Sequence, residues 1–528
     1  MKNKKETFLN GIFALIFSQV LIKIIGLAYK LYLTNKQGFG DSGNAIYSSG
    51  FQIYALLLTF SSTGVPNAIA KLVSERVAIG DNIGAHKIFK ISFFMFACIG
   101  GMGTILLYLS SKIIAKELLQ IPEAENSLIA LSPSIFFVSI SAVFRGYFNG
   151  LQRLSATAKS QSIEQFFKTI FTIVLVECVT FFGLSDTKLM AAAANLATSV
   201  ATGISFGYIF FYYRLKRREI AQDIKMSSNY MHMSIRMTIR KIILVAFPIS
   251  LSSLMSSFSK NIDSFTVVRF LKKYIGELEA KIQYGILSGK VDILCALPLS
   301  INVALVTALV PNISMLNAKK NYEAVKDKAR IFILFSIVIG LPATVGMMIY
   351  AKPILNLLFP NASNGAGLLK CASISIIFMI MLQTINAILQ GIGEVNIPSI
   401  ALIIGTVFKL VCNIILINNS KIGIYGAIIG NIVCNIVAVL IGYKVLSKKI
   451  MLKLKFRDIW IKPIIATGFM SYFSYMIYKW LEDIINIKIA TIVTLMSAVI
   501  IYIFFAIMFR IFSKSDFKKL WISKHENI

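Results

Sequence analysis

The sequence predicts an all-α polytopic membrane protein, with about 14 transmembrane helices in two parallel-repeat six-helix lobes plus two C-terminal helices. The chain has 528 residues, 56% of them hydrophobic, and its mean hydropathy of +0.74 is far above that of soluble domains. Apolar runs of about 20 residues follow one another, each long enough to cross a bilayer as a helix. Helices suit lipid because they satisfy every backbone polar group internally.

The apolar runs define the individual spans. Gly64-Val65-Pro66 interrupts the second span, and the eighth contains Pro298 and should end at Pro311, so we expect both to be kinked. No cleavable signal peptide is predicted, since the first run follows a basic start without a small-residue cleavage site. The predicted spans are 8–33, 45–73, 88–115, 128–150, 161–184, 189–213, 241–268, 284–314, 331–358, 367–390, 397–417, 424–446, 459–480 and 489–512.

Short segments recur in the two halves of the chain at nearly one offset. Val-Pro-Asn occurs at 65–67 and again at 310–312, a shift of 310 − 65 = 245. Gly150 and Lys168 have counterparts in Gly391 and Lys409 at a shift of 391 − 150 = 241, and Phe167 and Phe408 share that shift. Six helices separate the partners, an even number, so the two copies should run parallel. The predicted domains are an N-terminal lobe (1–213), a basic cytoplasmic linker (214–240), a C-terminal lobe (241–446) and two further helices with a basic tail (447–528).

The positive charge of the chain, formally +30, is concentrated in two loops. One cluster follows span six, between 214 and 241, and the other follows span twelve, between 444 and 457. Because basic residues gather on cytoplasmic loops, we expect a multi-pass protein of the bacterial cytoplasmic membrane with both termini inside. Contact with anionic lipid headgroups accounts for these clusters. Nucleic acid is not an expected partner, and we expect a monomer.

Cysteine and histidine usage argues against an enzyme, a metal site or a cofactor. All six cysteines lie in apolar runs without C-x-x-C spacing, as expected for small buried residues. The three histidines, His86, His232 and His525, fall in loops or the tail. We therefore predict no catalytic residue, no bound metal and no cofactor.

Charged residues inside the predicted spans are the main functional candidates, because each costs about 3 kcal/mol at mid-bilayer unless it meets a cavity or a partner. In span one, Gln19, Lys23, Gly26 and Lys30 repeat along one helical face. Lys23 lies deepest and is the strongest candidate for a cavity, whereas snorkelling to an interface is the alternative, above all for Lys30.

Span five carries Glu164 and Lys168 four residues apart, in the favourable order for a helical ion pair, so a structural pair between them is predicted. Lys409, at the matching place in the second half, has Gly405 four residues earlier, which favours a role in a cavity. Glu177 lies in the same apolar run as Glu164, and the sequence assigns it no partner.

Further candidates are Arg145 in span four, Lys260 and Asp263 in span seven, and Lys290 and Asp292 in span eight. For each, solvation or snorkelling at an interface is the alternative to a cavity role. Cations outnumber anions among the intramembrane groups, which favours an anionic substrate. The predicted substrate-binding candidates are Lys23, Lys30, Arg145, Lys168, Lys260, Lys290 and Lys409, and the polar or ion-coupling candidates are Gln19, Asn67, Glu164, Asp263 and Asp292.

Four stretches carry a resemblance to a known family: I-I-G-L-A-Y-K-L-Y-L (24–33), S-S-T-G-V-P-N-A-I-A-K-L-V-S-E (61–75), F-R-G-Y-F-N-G-L-Q (144–152) and L-V-P-N-I-S (309–314). They resemble the stage V sporulation protein B subgroup of the multidrug/oligosaccharidyl-lipid/polysaccharide exporter superfamily, over nearly the whole chain. Where many members have a proline after the cytoplasmic turn, this chain has Thr157 in the first half and keeps Pro398 in the second.

The resemblance implies two six-helix lobes around a cavity that opens alternately to each side of the membrane. It implies an undecaprenyl-pyrophosphate-linked sugar, either a polysaccharide unit or the peptidoglycan precursor lipid II, as the substrate of a flippase. In related lipid II flippases cations of the first helices hold the pyrophosphate, a position that Lys23 and Lys30 match loosely, and the last two helices form a groove for the lipid tail.

Two alternatives remain open. A cation-coupled multidrug exporter of the same fold would need an intramembrane carboxylate in the first lobe, for which Glu164 and Glu177 are the candidates. A membrane-embedded acyl- or glycosyltransferase would need a histidine or paired carboxylates at a membrane face, and no histidine falls in a predicted span.

Overall fold

The structure is a computed structural model that describes residues 21–22, 25–59, 65–184, 186–225, 227, 234–318, 320–452 and 457–512. Within these ranges the regular secondary structure is entirely helical. The chain divides into two compact units, Met1–Gly285 and Ile286–Ile528, and each is described by itself below.

The first unit is a helical bundle in which α5 is the central helix. It packs against α2, α3, α4 and α7, while α6 packs mainly on α7 and α8 lies against α2, α3 and α4. A π-helical turn, Ile114–Leu118, and a 3₁₀ turn, Pro122–Ala124, connect α4 to α5. The helices are α1 (25–35), α2 (Gly40–Thr59), α3 (Val65–Ala78), α4 (Asn82–Ile113), α5 (Glu125–Gly150), α6 (Leu154–Phe181), α7 (Thr187–Lys225), α8 (Ile235–Ile275) and α9 (Glu277–Ile286), the last of which ends at the unit boundary.

The second unit has α13 at its centre, packed against α10, α11 and α15, with α14 on α15. The last two helices pack on each other, and α16 also contacts α11. A π-helical turn, Leu287–Val291, precedes α10, and another, Arg457–Ile461, precedes α16. The helices are α10 (Asp292–Ala318), α11 (Tyr322–Ile349), α12 (Ala351–Leu358), α13 (Ala366–Gly391), α14 (Ile397–Ile417), α15 (Tyr425–Ile450), α16 (Lys462–Glu482) and α17 (Ile487–Met508).

The internal repeat predicted from the sequence is visible in the turn that follows α5 and in the turn that follows α13. In both turns three successive N–H groups donate to the same relative carbonyl oxygens, and the middle residue, Gln152 or Gly393, has a positive φ of 59° or 94°. The offset is 241 for every donor and acceptor (393 − 152 = 241). The bonds are 151→147, 152→149 and 153→148 in the first unit, and 392→388, 393→390 and 394→389 in the second.

One further feature, the side-chain cap of a helix, repeats at almost the same offset. The carboxylate of Asp81 accepts the N–H of Gly84 at 2.7 Å and caps α4, while the side chain of Asn321 accepts from Ala324 at 3.1 Å and caps α11. The shift is 321 − 81 = 240. These caps lie outside the segments from which the repeat was predicted, so they are independent support for it.

The glycines that close the repeated helices allow a close approach to a neighbouring helix. A Cβ atom at Gly150 would lie 2.7 Å from the Cβ of Val73, and one at Gly391 would lie 2.8 Å from the Cγ2 of Ile313. Both neighbours belong to the helices that carry the Val-Pro-Asn segments, α3 and α10. The two halves therefore repeat the same helix crossing.

Nine of the described helical segments are long and apolar enough to cross a membrane. They correspond to predicted spans three, four, six, eight to twelve and fourteen. The helix of predicted span five, α6, is not among them because every stretch of 18 residues in it contains three charged residues, among them Glu164 and Lys168. Since most of predicted span one falls outside the described residues, the count of fourteen stays a prediction.

One expectation, the end of a helix, differs from the structure. The predicted end of span eight at Pro311 is wrong, because α10 continues to Ala318, and the change in helix type occurs earlier, at Leu287–Val291. A proline removes only one backbone donor, which neighbouring groups in a bundle can compensate. The first unit also includes α8, which the predicted lobes assigned to the second half, since α8 packs on α2 and α3. The lobe boundaries remain a prediction.

Candidate functional site

Three of the predicted cations are buried together in the first unit, on α1, α5 and α6. Lys30, Arg145 and Lys168 have only 9%, 7% and 7% of their surface exposed. Lys30 and Lys168 are electrostatic neighbours. Each of the three side chains is therefore enclosed by neighbouring helices, which favours a place inside the bundle over snorkelling to an interface.

Glu164 forms its ion pair with Arg145, and not with Lys168 as the sequence predicted. Its guanidinium lies 2.6 Å from Glu164 and donates to the hydroxyls of Ser160 at 3.0 Å and Ser205 at 2.9 Å. The predicted ion pair between Glu164 and Lys168 is therefore wrong. A planar guanidinium with several fixed donors can satisfy a carboxylate and two serines at once, which a lysine on the same helix cannot match.

Lys168 and Lys30 contact aromatic rings. The ammonium of Lys168 lies 4.1 Å from the ring centroid of Phe51 and 5.3 Å from that of Tyr29. The ammonium of Lys30 lies 3.9 Å from the ring centroid of Tyr47. Among the residues that the structure describes, neither lysine has an anionic partner. Desolvated cation–π contacts stabilise by about 2 kcal/mol, so the rings offset part of the cost of burying two charges.

The aromatic rings form one face of α2, which we call the aromatic face: Tyr47, Phe51 and Tyr54. Successive ring centroids are 5.8 and 5.6 Å apart, and the hydroxyl of Tyr47 lies 3.3 Å from that of Tyr29. Sequence reasoning missed these residues. The signal was available, because aromatic residues at i, i+4 and i+7 lie on one side of a helix and here face two intramembrane lysines.

The rest of the predicted stripe on the first helix is only partly described. Gln19 and Lys23 lie outside the described residues, so the prediction for Lys23 stays untested. Gly26 lies beside α6, where an added Cβ would be 3.4 Å from the amide nitrogen of Gln165. Together with Lys30, it places one face of α1 against α6.

Other charged and polar candidates of the first unit lie apart from this cluster. Asn67 is exposed on α3, and Lys260 is exposed on α8, whereas Asp263 is buried. Glu177, to which the sequence assigned no partner, accepts from Lys36 and from the hydroxyl of Tyr32, each at 2.5 Å. This exposed carboxylate therefore connects the end of α6 to α1 and to Lys36, which follows α1.

The second unit buries two of the predicted cations. Lys290 is fully buried in the π-helical turn before α10, and its ammonium donates to the carbonyl of Ala362 at 2.7 Å. Lys409 on α14 is 1% exposed, and Asp292 is exposed. Lys409 lies 15 residues after Glu394, the last residue of the turn that follows α13. Lys168 lies the same distance after Arg153, the equivalent residue of the turn that follows α5 (409 − 394 = 168 − 153 = 15).

The cluster in the first unit has the chemistry of an anion-binding site. It contains three cations and one carboxylate, which leaves two positive charges beside apolar and aromatic surface. Within the described ranges, no group of three or more histidine, cysteine, aspartate or glutamate side chains is placed to hold a metal ion. Lys30 and Lys168 supply ammonium donors, and Arg145 supplies a guanidinium that a carboxylate already occupies.

The helical architecture matches that of solved membrane transporters. One similar structure is an inward closed conformation of the lipid II flippase MurJ, with a TM-score of 0.70 at 17% identity over 95% of this chain and 99% of that one. Another is an inward-facing multidrug resistance MATE family transporter of the MOP superfamily, with a TM-score of 0.68 at 17% identity over 83% of this chain and 98% of that one. The predicted fold class, an all-α polytopic membrane protein, is confirmed.

The sequence comparisons define the family within this class. Residues 8–317 match the family model described as polysaccharide biosynthesis protein, and residues 290–521 match that of the lipid II flippase MurJ. Stage V sporulation protein B of Bacillus subtilis (strain 168) is 23% identical over 98% of both chains. The chain belongs to the polysaccharide biosynthesis protein family, and the resemblance seen in its motifs is confirmed.

Proposed function

We propose that this protein is a flippase for an undecaprenyl-pyrophosphate-linked glycan, either lipid II or a polysaccharide repeat unit. It translocates this substrate across the cytoplasmic membrane by alternating access and catalyses no reaction. The observation that carries the proposal is the burial of Lys30 and Lys168 beside each other, in contact with aromatic rings and in ion pairs with none of the described carboxylates.

The charge balance of the site fits a diphosphate. Three cations and Glu164 leave a net charge of two, and a pyrophosphate diester brings two negative charges. Burying uncompensated charge is costly, so an anion that neutralises the two lysines relieves part of that cost. Each charge-assisted hydrogen bond from an ammonium to a phosphate oxygen should contribute roughly 1.5–3 kcal/mol.

The relatives support the same class of substrate. The family model covering residues 8–317 is described as polysaccharide biosynthesis protein, and one similar structure is named a lipid II flippase. The first name concerns the synthesis of polysaccharides, and the second names lipid II as what that protein moves. The cationic site explains how this chain would recognise the charged linkage that pyrophosphate-linked lipids have in common, whichever glycan is attached.

The membrane orientation follows from the basic clusters. With both termini inside, the end of α7 with Arg214, Arg217 and Arg218 lies on the cytoplasmic side, as does the end of α15 with Lys448 and Lys449. The substrate is then loaded from the side on which it is synthesised. The chain works as a monomer in this proposal, with membrane lipids as its remaining partners.

A cation-coupled multidrug exporter is the second candidate, because a MATE family transporter shares the fold. The two carboxylates that such a function could use are both engaged here, Glu164 by Arg145 and Glu177 by Lys36. The excess of buried cations also opposes a cationic drug. The lipid-linked anion therefore remains the better fit.

The proposal is tested by reconstituting the full chain in liposomes. Translocation is compared for lipid II, for a pyrophosphate-linked polysaccharide unit, for a neutral polyprenyl glycoside of similar size and for a cationic dye. We expect movement of at least one pyrophosphate-linked substrate and none of the neutral glycoside. Transport of the dye without transport of either pyrophosphate-linked lipid would overturn the proposal.

A further inference from the structure

Two residues of the aromatic face, Tyr47 and Phe51, lie against the ammonium groups of two buried lysines. We propose that these two rings are positioning residues. Their faces stabilise the positive charges of Lys30 and Lys168 through cation–π contacts and keep both ammonium groups available to a phosphate. The inference rests on the proposed function, and it identifies the feature that makes the site selective for anions.

The geometry places one ring against each ammonium. Tyr47 lies 3.9 Å from the Lys30 ammonium and is itself 1% exposed, so its ring is fixed by packing. Phe51 lies 4.1 Å from the Lys168 ammonium, and its ring stacks on Tyr47 with an interplanar angle of 9°. The two rings are therefore coupled, and each lysine is held at a successive turn of α2.

Tyr29 strengthens this arrangement from the opposite helix. It precedes Lys30 on α1, its ring lies 5.3 Å from the Lys168 ammonium, and its hydroxyl reaches that of Tyr47 at 3.3 Å. Each lysine thus contacts an aromatic ring on a helix other than its own. The contact between the hydroxyls of Tyr29 and Tyr47 joins α1 to α2 beside the two lysines. The spacing between the two ammonium groups is set by packed rings.

Arg145 shows the alternative way of compensating a buried cation. Its donors are occupied by Glu164, Ser160 and Ser205, so a phosphate would have to displace a carboxylate of like charge to reach it. A ring face stabilises an ammonium without accepting its hydrogen bonds, and an ammonium has three donors. Lys30 and Lys168 can therefore bind an anion without first losing a resident one.

This arrangement also predicts what the site rejects. A cationic substrate would meet two ammonium groups that no described carboxylate neutralises, and it would be repelled. A carboxylate placed at residue 51 would pair with Lys168 and occupy its donors. The aromatic identity of this position, and not only its size, should decide whether anions bind.

The test measures binding of inorganic pyrophosphate to the purified full chain in nanodiscs. Phe51→Leu and Tyr47→Leu remove a ring face with a moderate change in volume, and their affinity should fall on the order of tenfold or more. Phe51→Trp and Tyr47→Phe keep the face and should stay within about twofold. Phe51→Glu should abolish binding. Phe96→Leu, a buried phenylalanine on α4 without a lysine contact, is the matched control and should bind as the parent does.

The outcomes separate this inference from the proposed function. If Lys30→Ala and Lys168→Ala bind pyrophosphate as well as the parent, the site itself is not the anion site and the proposed function loses its basis. If both lysine variants lose binding while Phe51→Leu and Tyr47→Leu retain it, the proposed function stands and the aromatic inference is overturned. Should a leucine variant fail to fold, the pyrophosphate affinities of Phe51→Trp and Phe51→Glu test the inference in its place. Equal affinities of these two variants would contradict a role for the ring face.

Discussion

The guanidinium of Arg145 lies 2.6 Å from the carboxylate of Glu164, across the interface between α5 and α6. This ion pair determines the character of its surroundings, because Glu164 is one turn from Lys168 and would otherwise be its natural partner. Because Glu164 is bound to Arg145, the ammonium of Lys168 contacts the rings of Phe51 and Tyr29 instead. One structural ion pair thus creates the excess of positive charge beside it.

The first prediction concerns the stability of that pair. Arg145→Ala should lower the free energy of unfolding by about 2–3 kcal/mol, because it removes the guanidinium that binds a partly buried carboxylate and two serine hydroxyls. Lys216→Ala is the control, since Lys216 and Glu219 form an ion pair on α7 that is about one-third exposed. It should cost less than about 1 kcal/mol. Thermal or denaturant unfolding in detergent measures both, and equal losses would contradict a structural role for Arg145.

The second prediction concerns a close contact between two helices of the first unit. A Cβ atom at Gly285 in α9 would lie 1.8 Å from the carbonyl oxygen of Asp41 in α2, which is far too close for any side chain. Gly285→Ala should therefore lower the melting temperature. Gly207→Ala on α7 is the matched control: nothing lies within 4 Å of its Cβ position, so it should be neutral or slightly stabilising. A Gly285→Ala protein as stable as the parent would show that α9 does not approach α2 this closely.

The third prediction concerns membrane orientation. In a background without the native cysteines, Gln222→Cys at the exposed end of α7 should resist an impermeant thiol reagent in intact cells and react after permeabilisation. Leu184→Cys, exposed between α6 and α7, should react in intact cells. Labelling of Gln222→Cys from outside would reject the orientation, and failure of both sites to react after permeabilisation would show that neither reports it.

The fourth prediction concerns a contact that joins the two predicted repeats. Lys281 of α9, which the repeat assigns to the second half, is 6% exposed and binds Glu123 at 2.7 Å and Glu277 at 2.7 Å. If the protein works by the proposed alternating access, one repeat moves against the other and the contact between Lys281 and Glu123 should open during transport. A thiol crosslinker should therefore inhibit Glu123→Cys/Lys281→Cys.

The control for this experiment is the pair Glu277→Cys/Lys281→Cys, whose two positions lie on the same helix and do not join the repeats. Crosslinking it should leave transport close to that of the untreated variant. Inhibition should require the bifunctional reagent, since a monofunctional thiol reagent of similar size adds bulk without joining the helices. Full transport by the crosslinked Glu123/Lys281 pair would show that this contact stays closed throughout the cycle.

The fold was predictable because its determinants are local or periodic. Apolar runs marked the helices, and an offset of 241 between Gly150 and Gly391 located turns that agree hydrogen bond by hydrogen bond. The end of α10 was not predictable from Pro311, because a proline inside a bundle can be accommodated by its neighbours. Whether α8 packs with the first or the second half depends on contacts between distant segments, which the sequence does not display.

The candidate site was predictable in part. Intramembrane charge identified Lys30, Arg145 and Lys168, since such residues must meet a cavity or a partner. Their partners were not predictable, because Glu164 pairs with a residue 19 positions earlier on another helix and not with Lys168 on its own. The aromatic face was missed because aromatic residues are common in membrane helices, and only their proximity to two lysines distinguishes Tyr47 and Phe51.

The central claim is tested most directly by translocation of a pyrophosphate-linked lipid in liposomes that contain equal amounts of parent or variant protein. Lys30→Ala and Lys168→Ala should each reduce the rate at least tenfold, as expected for loss of a desolvated contact to phosphate. Lys23→Ala, in predicted span one and outside the described residues, is predicted to behave in the same way. Lys71→Ala, an exposed lysine of α3, should transport as the parent does. If Lys30→Ala and Lys168→Ala translocate at the parental rate, the buried lysines are structural and the account of this protein as a flippase for an anionic lipid is contradicted.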